Sequence, residues 1–270
     1  MLIYGKEVRE ATKEKVKRIA QNKPLSLAVV QVGDEAASGA YINGMKNFGQ
    51  DIGIPVTVFN YPATISEAEL IREIKKLNQS PQITGIMIQK PLPAHMRDDV
   101  VVNSLDYRKD VEGIHNFNLG KIINREAGVR PSTPKAVISM LKAHNVPLEG
   151  ARVTILGRSS ILGSPLALML MAENATVTVC HTRTRNLIDE IRRADIVVAA
   201  MGQMNFVTAD MVREDTVIID AGINFDENGK MFGDVHAEAK QKAKMASAVP
   251  GGIGVITVAE LFDNLTLLGE

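Results

Sequence analysis

The chain has 270 residues, enough for two domains of ordinary size, and its 45% hydrophobic and 23% charged content is that of a soluble globular protein. Lys plus Arg (31) balance Asp plus Glu (31), so no net field recruits nucleic acid or a membrane surface. The single Cys180 excludes an internal disulfide and fits a reducing cytoplasm, no apolar run approaches a membrane span, and residues 1–6 lack the form of a secretion signal.

Taken in order, residues 5–21 combine Lys, Glu and Ala with scattered apolar positions and predict an amphipathic surface helix. Residues 25–32 (LSLAVVQV) predict a strand ending in Gly33-Asp34, and residues 36–51 take helical spacing. Residues 55–60 alternate as a second strand. Ser66 and Glu69 form a capping box ahead of Leu70, Ile71 and Ile74, which starts a helix there. Residues 83–89 (ITGIMIQ) give a third strand, stopped by Pro91 and Pro93. Strands alternating with helices imply parallel βαβ units.

A loop-rich stretch, residues 106–118, carries the charged run Arg108-Lys109-Asp110-Val111-Glu112-Gly113. Arg130-Pro131-Ser132-Thr133-Pro134 then opens a helix through Leu141, with Thr133 as the expected cap and Pro134 at the first helical position. The domain hinge is expected here.

Residues 151–165 (ARVTILGRSSILGSP) read as a buried parallel strand, a glycine turn at Gly157 and a helix continuing through Leu166 to Leu170. That order is the phosphate-binding corner of a doubly wound nucleotide fold, in which glycine lets the backbone approach a pyrophosphate and the helix start attracts its charge. The usual second glycine is replaced by Ser159, and from this pattern alone an ordinary strand-to-helix turn reads equally well. The next strand, Thr176–Cys180, ends in His181, Thr182 and Arg183 instead of an acid. Hydroxyl and guanidinium groups there suit the 2′-phosphate of NADP, with Arg158 closing from the glycine turn. Strands at residues 196–200 and 217–220 run into Met201-Gly202 and Ala221-Gly222, leaving room for a ligand along their carboxyl edge. This half therefore reads as an NADP-type Rossmann domain. Val249-Pro250-Gly251-Gly252-Ile253-Gly254 predicts a bare loop, open to a flat ligand or serving as a plain connection, and residues 257–268 a last helix capped by Thr257 with Glu260.

In the first half, Tyr41, Gln89 and Glu112 each fall near the carboxyl end of a predicted strand, the edge where open parallel sheets bind ligands. Each also has a plain structural reading: a half-buried helix ring, a strand-end backbone cap and a solvated loop acid. His115 and His181 read as structural or solvent-facing, and no His or Cys spacing suits a metal. There is no nucleophile elbow and no Walker lysine motif.

The stretches VGDEAASGAY, GIMIQKPLP, KDVEG, RPSTP, GRSSILGSP, DAGIN and VPGGIG stand in the order and spacing of one family. Over essentially its whole length the chain resembles the bifunctional methylenetetrahydrofolate dehydrogenase/methenyltetrahydrofolate cyclohydrolases (FolD). The resemblance implies an α/β architecture with an N-terminal folate-binding catalytic domain (residues 1–120 plus 255–270, the last helix returning to it) and an NADP-binding Rossmann domain (residues 121–254). It further implies an active site in the cleft between them, a cytoplasmic homodimer formed through the Rossmann domain, tetrahydrofolate derivatives as substrates, and a place in one-carbon metabolism and purine biosynthesis. By position, Tyr41 resembles the tyrosine that stacks on the folate rings, Gln89 the glutamine after the third strand, and Pro250-Gly251-Gly252 the loop at the folate. Gly157, Arg158, Ser159, Thr182 and Ile223 match positions along the dinucleotide.

Three departures bear on chemistry. The family's catalytic lysine, four residues after the tyrosine, is here Met45, and Gly53 keeps the register, so Lys46 does not substitute by a slip. Glu112 stands where the family has the aspartate that holds the pterin, and Lys90 where leucine is common. Hydride transfer from methylenetetrahydrofolate needs placement of two rings and no proton at the reacting carbon, so Met45 is compatible with it. Hydrolysis of the methenyl product needs a proton carrier, worth about 10²–10⁴-fold in rate. The expectation is thus an NADP-dependent dehydrogenase with weak or absent cyclohydrolase activity. Two alternatives stand beside it: a fully bifunctional enzyme in which Lys90 replaces the missing lysine, and a non-catalytic nucleotide-binding sensor.

Overall fold

The computed structural model describes residues 1–33 and 36–268, so Asp34 and Glu35 of the first family motif lie outside the described residues. In chain order the elements of the first half are β1 (Leu2–Ile3), α1 (Lys6–Ala20), β2 (Leu27–Val32), α2 (Ala36–Ile52), β3 (Val56–Tyr61), α3 (Glu67–Gln79), β4 (Gly85–Ile88), α4 (Asp98–Val102) and α5 (Asn116–Ile123). They continue with α6 (Ser132–Ala143), β5 (Arg152–Leu156), α7 (Gly163–Ala172), β6 (Thr176–Cys180), α8 (Leu187–Arg193), β7 (Ile196–Ala199) and β8 (Val217–Asp220). The chain closes with β9 (Asn224–Phe225), β10 (Met231–Phe232), α9 (Ala237–Lys242), β11 (Met245–Ser247) and α10 (Ile253–Leu268). Two compact units result: Met1–Glu10 with Thr133–Thr257, and Ala11–Ser132 with Val258–Glu270.

The unit of residues 11–132 and 258–270 holds a parallel sheet in the order β3-β2-β4, and a parallel bridge from Ile86 to Asp110 extends it beside β4. Alternation along β2 divides its side chains between two cores. Leu27 and Val29 join Met45, Phe48, Met87 and Phe262 on one face, whereas Ala28, Val30 and Val32 join Leu70, Ile74 and Ile88 on the other. A strand covered on both faces carries few polar residues, which is why β2 is apolar but for Gln31 near its end. The capping box at α3 forms as expected: Ser66 Oγ accepts from the Glu69 backbone N–H and the Glu69 carboxylate accepts from that of Ser66.

The other unit has a parallel sheet in the order β1-β11-β8-β7-β5-β6. Here too neighbouring positions alternate between cores, with Ile196 and Val198 of β7 on one side and Val197 and Ala199 on the other. Chain order reverses at β5, whose two partners are β6 and β7, and the same reversal occurs at β2 between β3 and β4. At such a reversal the connecting helices part to opposite faces and leave a crevice at the carboxyl ends of the strands. The doubly wound α/β reading holds, with a Rossmann-type second unit.

Several local expectations change. The sheet gains β1 and β11, of two and three residues, too short to leave a periodic signature. Pairing of Leu2 with Ala246 puts the first residues of the chain in the Rossmann-type sheet. The loop at 249–254 ends at Gly252, because Ile253 and Gly254 already belong to α10. Thr257 is therefore no cap; its hydroxyl donates back to the Gly254 carbonyl at 2.9 Å inside the helix. Likewise α6 begins at Ser132, so Thr133 is helical and Pro134 stands in the first turn, where an N–H would lack an intrahelical partner anyway. The section 106–118, read as loop, contains the start of α5, capped by His115, whose Nδ1 accepts from Phe117 N–H at 3.0 Å.

Candidate active site

At the end of β5, Gly157 has φ +124°, and a Cβ there would lie 2.3 Å from the Ala200 carbonyl oxygen at the end of β7. Gly163 opens α7 with its own missing Cβ 2.1 Å from the Gly157 carbonyl. Strand, turn and helix thus meet closer than any side chain permits, the geometry that brings backbone N–H groups up to a pyrophosphate. Ser159 Oγ accepts from Leu162 N–H at 3.2 Å and shapes the turn, while the Arg158 and Ser159 side chains stay exposed. Register pairs Leu156 with Cys180, so Thr182 and Arg183 stand directly beside this corner. Both are exposed, on a turn in which His181 Nδ1 accepts from Arg183 N–H at 3.1 Å. Among the described residues no carboxylate pairs with Arg158, Arg183 or Arg185, so three guanidinium groups around a strand end without an acid remain available to an anion. A dinucleotide carrying an extra phosphate fits this donor set.

Ile223, 60% exposed, follows β8 along the same edge, and Pro250-Gly251-Gly252 follow β11. Gly5 N–H donates to the Gly251 carbonyl at 2.8 Å and the Tyr4 ring lies against Gly251. The N-terminal strand therefore holds this loop, which borders a cavity of about 390 Å³ shared with Tyr4, His236 and Lys240.

Two aspartates that motif reading did not single out organise this edge. Asp234, with no exposed surface, accepts the backbone N–H groups of Met201 (2.6 Å), Gly202 (3.0 Å) and Gln203 (2.8 Å), and Asn224 Nδ2 at 2.9 Å. Asp220, equally buried, accepts from Gly222, Asp234 and Val235 N–H and pairs with Lys240 Nζ at 2.7 Å. The loops after β7 and β8 are thereby fixed by carboxylates. An acid closing the apolar strand VIID was the available signal, because a charge at the end of a buried strand must meet donors.

In the other unit, Tyr41 lies in α2, partly buried against the core that contains Met45. Met45 has no exposed surface, whereas Lys46, one residue on, is exposed beside a separate shallow cavity with Gln50 and Pro55. Gln89 follows β4; its Nε2 donates to the Lys90 carbonyl at 2.7 Å, while its Oε1 is buried with no donor among the described residues. Lys90 Nζ is held 3.0 Å from Asp98.

Glu112 is half-buried and continues the segment bridged to β4, which puts it at the same sheet edge as Gln89 and Lys90. Its carboxyl is pushed up to about 8, first by burial and then by the Asp110 carboxylate, against the pull of Lys90 and a hydrogen bond from the Ile88 backbone. Asp110 is itself raised by burial, although Gly113 N–H, His115 N–H and Asn118 Nδ2 donate to it at 3.1, 2.8 and 2.8 Å. Glu112 is thus no solvated loop acid: it is a carboxyl that titrates near neutrality. The structure brings Gln89, Lys90 and Glu112 to one edge of this sheet. His115 and His181 both cap turns, and no cluster of three His, Cys, Asp or Glu suits a metal among the described residues.

Residues 131–269 match the family model described as tetrahydrofolate dehydrogenase/cyclohydrolase, NAD(P)-binding domain, and residues 3–112 match the catalytic domain of the same description. The chain is 61% identical to bifunctional protein FolD 2 of Syntrophomonas wolfei over 100% of its own length and 99% of the relative's. The crystal structure of the bifunctional enzyme FolD, methylenetetrahydrofolate dehydrogenase/cyclohydrolase, from Campylobacter jejuni superposes with a TM-score of 0.97 at 36% identity, covering 100% and 98% of the two chains. A Trypanosoma brucei methylenetetrahydrofolate dehydrogenase-cyclohydrolase complexed with NADP cofactor and inhibitor gives 0.93 at 29% identity, covering 100% and 97%.

Proposed function

We infer the activity from membership: this chain belongs to the tetrahydrofolate dehydrogenase/cyclohydrolase family. It is an enzyme that oxidises 5,10-methylenetetrahydrofolate to 5,10-methenyltetrahydrofolate with NADP+. The observation that carries this reading is the corner at Gly157 and Gly163 with Arg158, Thr182 and Arg183 beside it, and no acid at the end of β6. Bound NADP+ supplies the hydride acceptor. The chain's part in that step is placement: Gly157 admits the pyrophosphate, Arg158 and Arg183 take the 2′-phosphate, and Ser159, Thr182 and Ile223 line the nucleotide. Tyr41 stacks on the pterin, and Gln89 and Glu112 hold its polar edge. Because the departing hydride carries its own electron pair, orientation of the two rings does most of the work.

The names of the relatives favour a second, hydrolytic step in this chain as well, carried out without an ammonium at Met45. Lys90 is a weak replacement, since its charge is engaged by Asp98. A sensor without chemistry is set aside. The protein works as a cytoplasmic homodimer feeding one-carbon units to purine biosynthesis; the lone Cys180 suits that compartment, and exposed Leu2, Tyr4 and Phe225 on the Rossmann-type unit supply apolar surface for a second copy. Adding methylenetetrahydrofolate to the purified protein with NADP+ should raise the absorbance of NADPH, and no reduction at substrate saturation would sink the assignment.

A further inference from the structure

Asp220 and Asp234 hold the loops after β8 and β7, and the cation behind them comes from a helix outside both loops. Lys240 Nζ of α9 lies 2.7 Å from Asp220 Oδ2, with 12% of the lysine side chain exposed and none of the acid. The remaining bonds of the Asp220 carboxylate run to backbone. Its Oδ1 accepts from Gly222 N–H at 3.1 Å and Asp234 N–H at 2.9 Å, and its Oδ2 from Val235 N–H at 3.2 Å. Asp234 in turn takes up the N–H groups of Met201, Gly202 and Gln203. Neither acid has slack: a Cβ on Gly233 would stand 1.9 Å from Asp220 Oδ2, and one on Gly222 2.3 Å from Asp234 Cγ.

Sheet order decides which part of a dinucleotide rests on these loops. Strand β6 flanks β5 on one side, and β7 and β8 follow on the other. With the pyrophosphate at Gly157 and Gly163 and the 2′-phosphate at Thr182 and Arg183, the adenosine half takes the β6 side. The nucleoside that carries the hydride acceptor therefore falls on the side of loops 201–203 and 221–223.

Resting on the dehydrogenase reading, we propose that Lys240 is a positioning residue for hydride transfer. Its ammonium holds Asp220, and through Asp234 both loops, so that the nicotinamide half is seated against the substrate. Lys240 acts through the two acids and not by contact with a reacting atom. Without it a buried carboxylate lacks its cation, an unfavourable state that Asp220 relieves only by moving. Because its other partners are Gly222, Asp234 and Val235 N–H, any such movement drags the loops and leaves the corner at Gly157 in place. Orientation of the two rings is the main lever on this reaction, and a displacement of about 1 Å can cost about 100-fold in rate. Lys240 also lines the cavity shared with Tyr4, His236 and Pro250, which gives a guanidinium room in its place.

The test compares wild type with Lys240→Met, Lys240→Gln and Lys240→Arg. It reads NADP+ reduction together with calorimetric binding of NADP+ and of adenosine 2′,5′-bisphosphate, a fragment of the adenosine half alone. Lys240→Met should lower kcat at saturating NADP+ and substrate by about 10- to 100-fold. It should weaken NADP+ while binding the bisphosphate within about twofold of wild type, because the adenosine half lies away from the change. Lys240→Arg, which keeps the cation, should recover most of kcat, and Lys240→Gln, a donor without charge, should fall between. Equal losses for both ligands would overturn the inference, since a general loosening of the unit moves them together. Should Lys240→Met fail to fold, the other two variants decide: the order wild type, Arg, Gln in kcat with unchanged bisphosphate binding supports the role. A wild type that fails to reduce NADP+ brings down the functional reading, whereas a working wild type matched by Lys240→Gln in kcat and NADP+ affinity brings down only the inference.

Discussion

Gly157 and Ala200 approach so closely that a single methyl on the first would stand 2.3 Å from the carbonyl oxygen of the second. The contact joins the ends of β5 and β7, the two strands between which the sheet reverses its order. Neither partner can yield, because both sides of the contact are backbone. Gly157→Ala should cost about 2–5 kcal/mol, the sum of left-handed strain and overpacking. A thermal melt and an NADP titration check it, and a variant with wild-type melting and affinity would show that the corner relaxes.

Asp234 does for the next loop what Gly157 does for the first turn. Its carboxylate faces three backbone donors and Asn224, so replacing one oxygen with an NH2 group sets donor against donor. Asp234→Asn should lose about 1–3 kcal/mol of stability, the cost of leaving buried N–H groups unpaired. Amide exchange at Met201, Gly202 and Gln203 should accelerate selectively; unchanged protection there would contradict the assignment.

Arg158 is exposed at the nucleotide corner, and no acid is paired with it among the described residues. Arg158→Ala should weaken NADP about 10- to 100-fold, the range of a charge-assisted phosphate contact, and leave NAD nearly untouched. Parallel titrations with the two nucleotides decide this, equal losses meaning that the guanidinium does not read the 2′-phosphate.

Glu112 links the site to stability. Its folded carboxyl keeps the proton up to about pH 8, whereas the unfolded one releases it around the ordinary 4.5. Between those values the folded state binds more protons, so stability should fall as pH rises from about 4.5 to about 8 and level off beyond, with a slope of up to about 1.4 kcal/mol per unit. Denaturant melts at several pH values should show a steeper fall in wild type than in Glu112→Gln, where buried Asp110, also raised, still contributes. The same slope in both would place the titration elsewhere.

Short-range features were legible in the residues alone. The βα alternation, the capping box at Ser66 and Glu69, the strand Thr176–Cys180 and the close turn at Gly157 all follow from periodicity and backbone sterics acting over a few positions. Element ends were less legible: Thr257 and Thr133 look like caps, but α10 begins at Ile253 and α6 at Ser132, so each lies inside its helix.

The amino-acid order by itself determined a two-unit α/β chain with an NADP-type corner and a folate-family motif series. Only the tertiary structure decided what the polar groups became. Asp234 turned into a clamp on a loop some thirty residues earlier, Met45 into core, and Glu112 into a carboxyl titrating near neutrality. The reason is that periodicity and glycine sterics act along the chain, whereas desolvation, charge pairing and hydrogen-bond supply are sums over neighbours that folding brings from elsewhere.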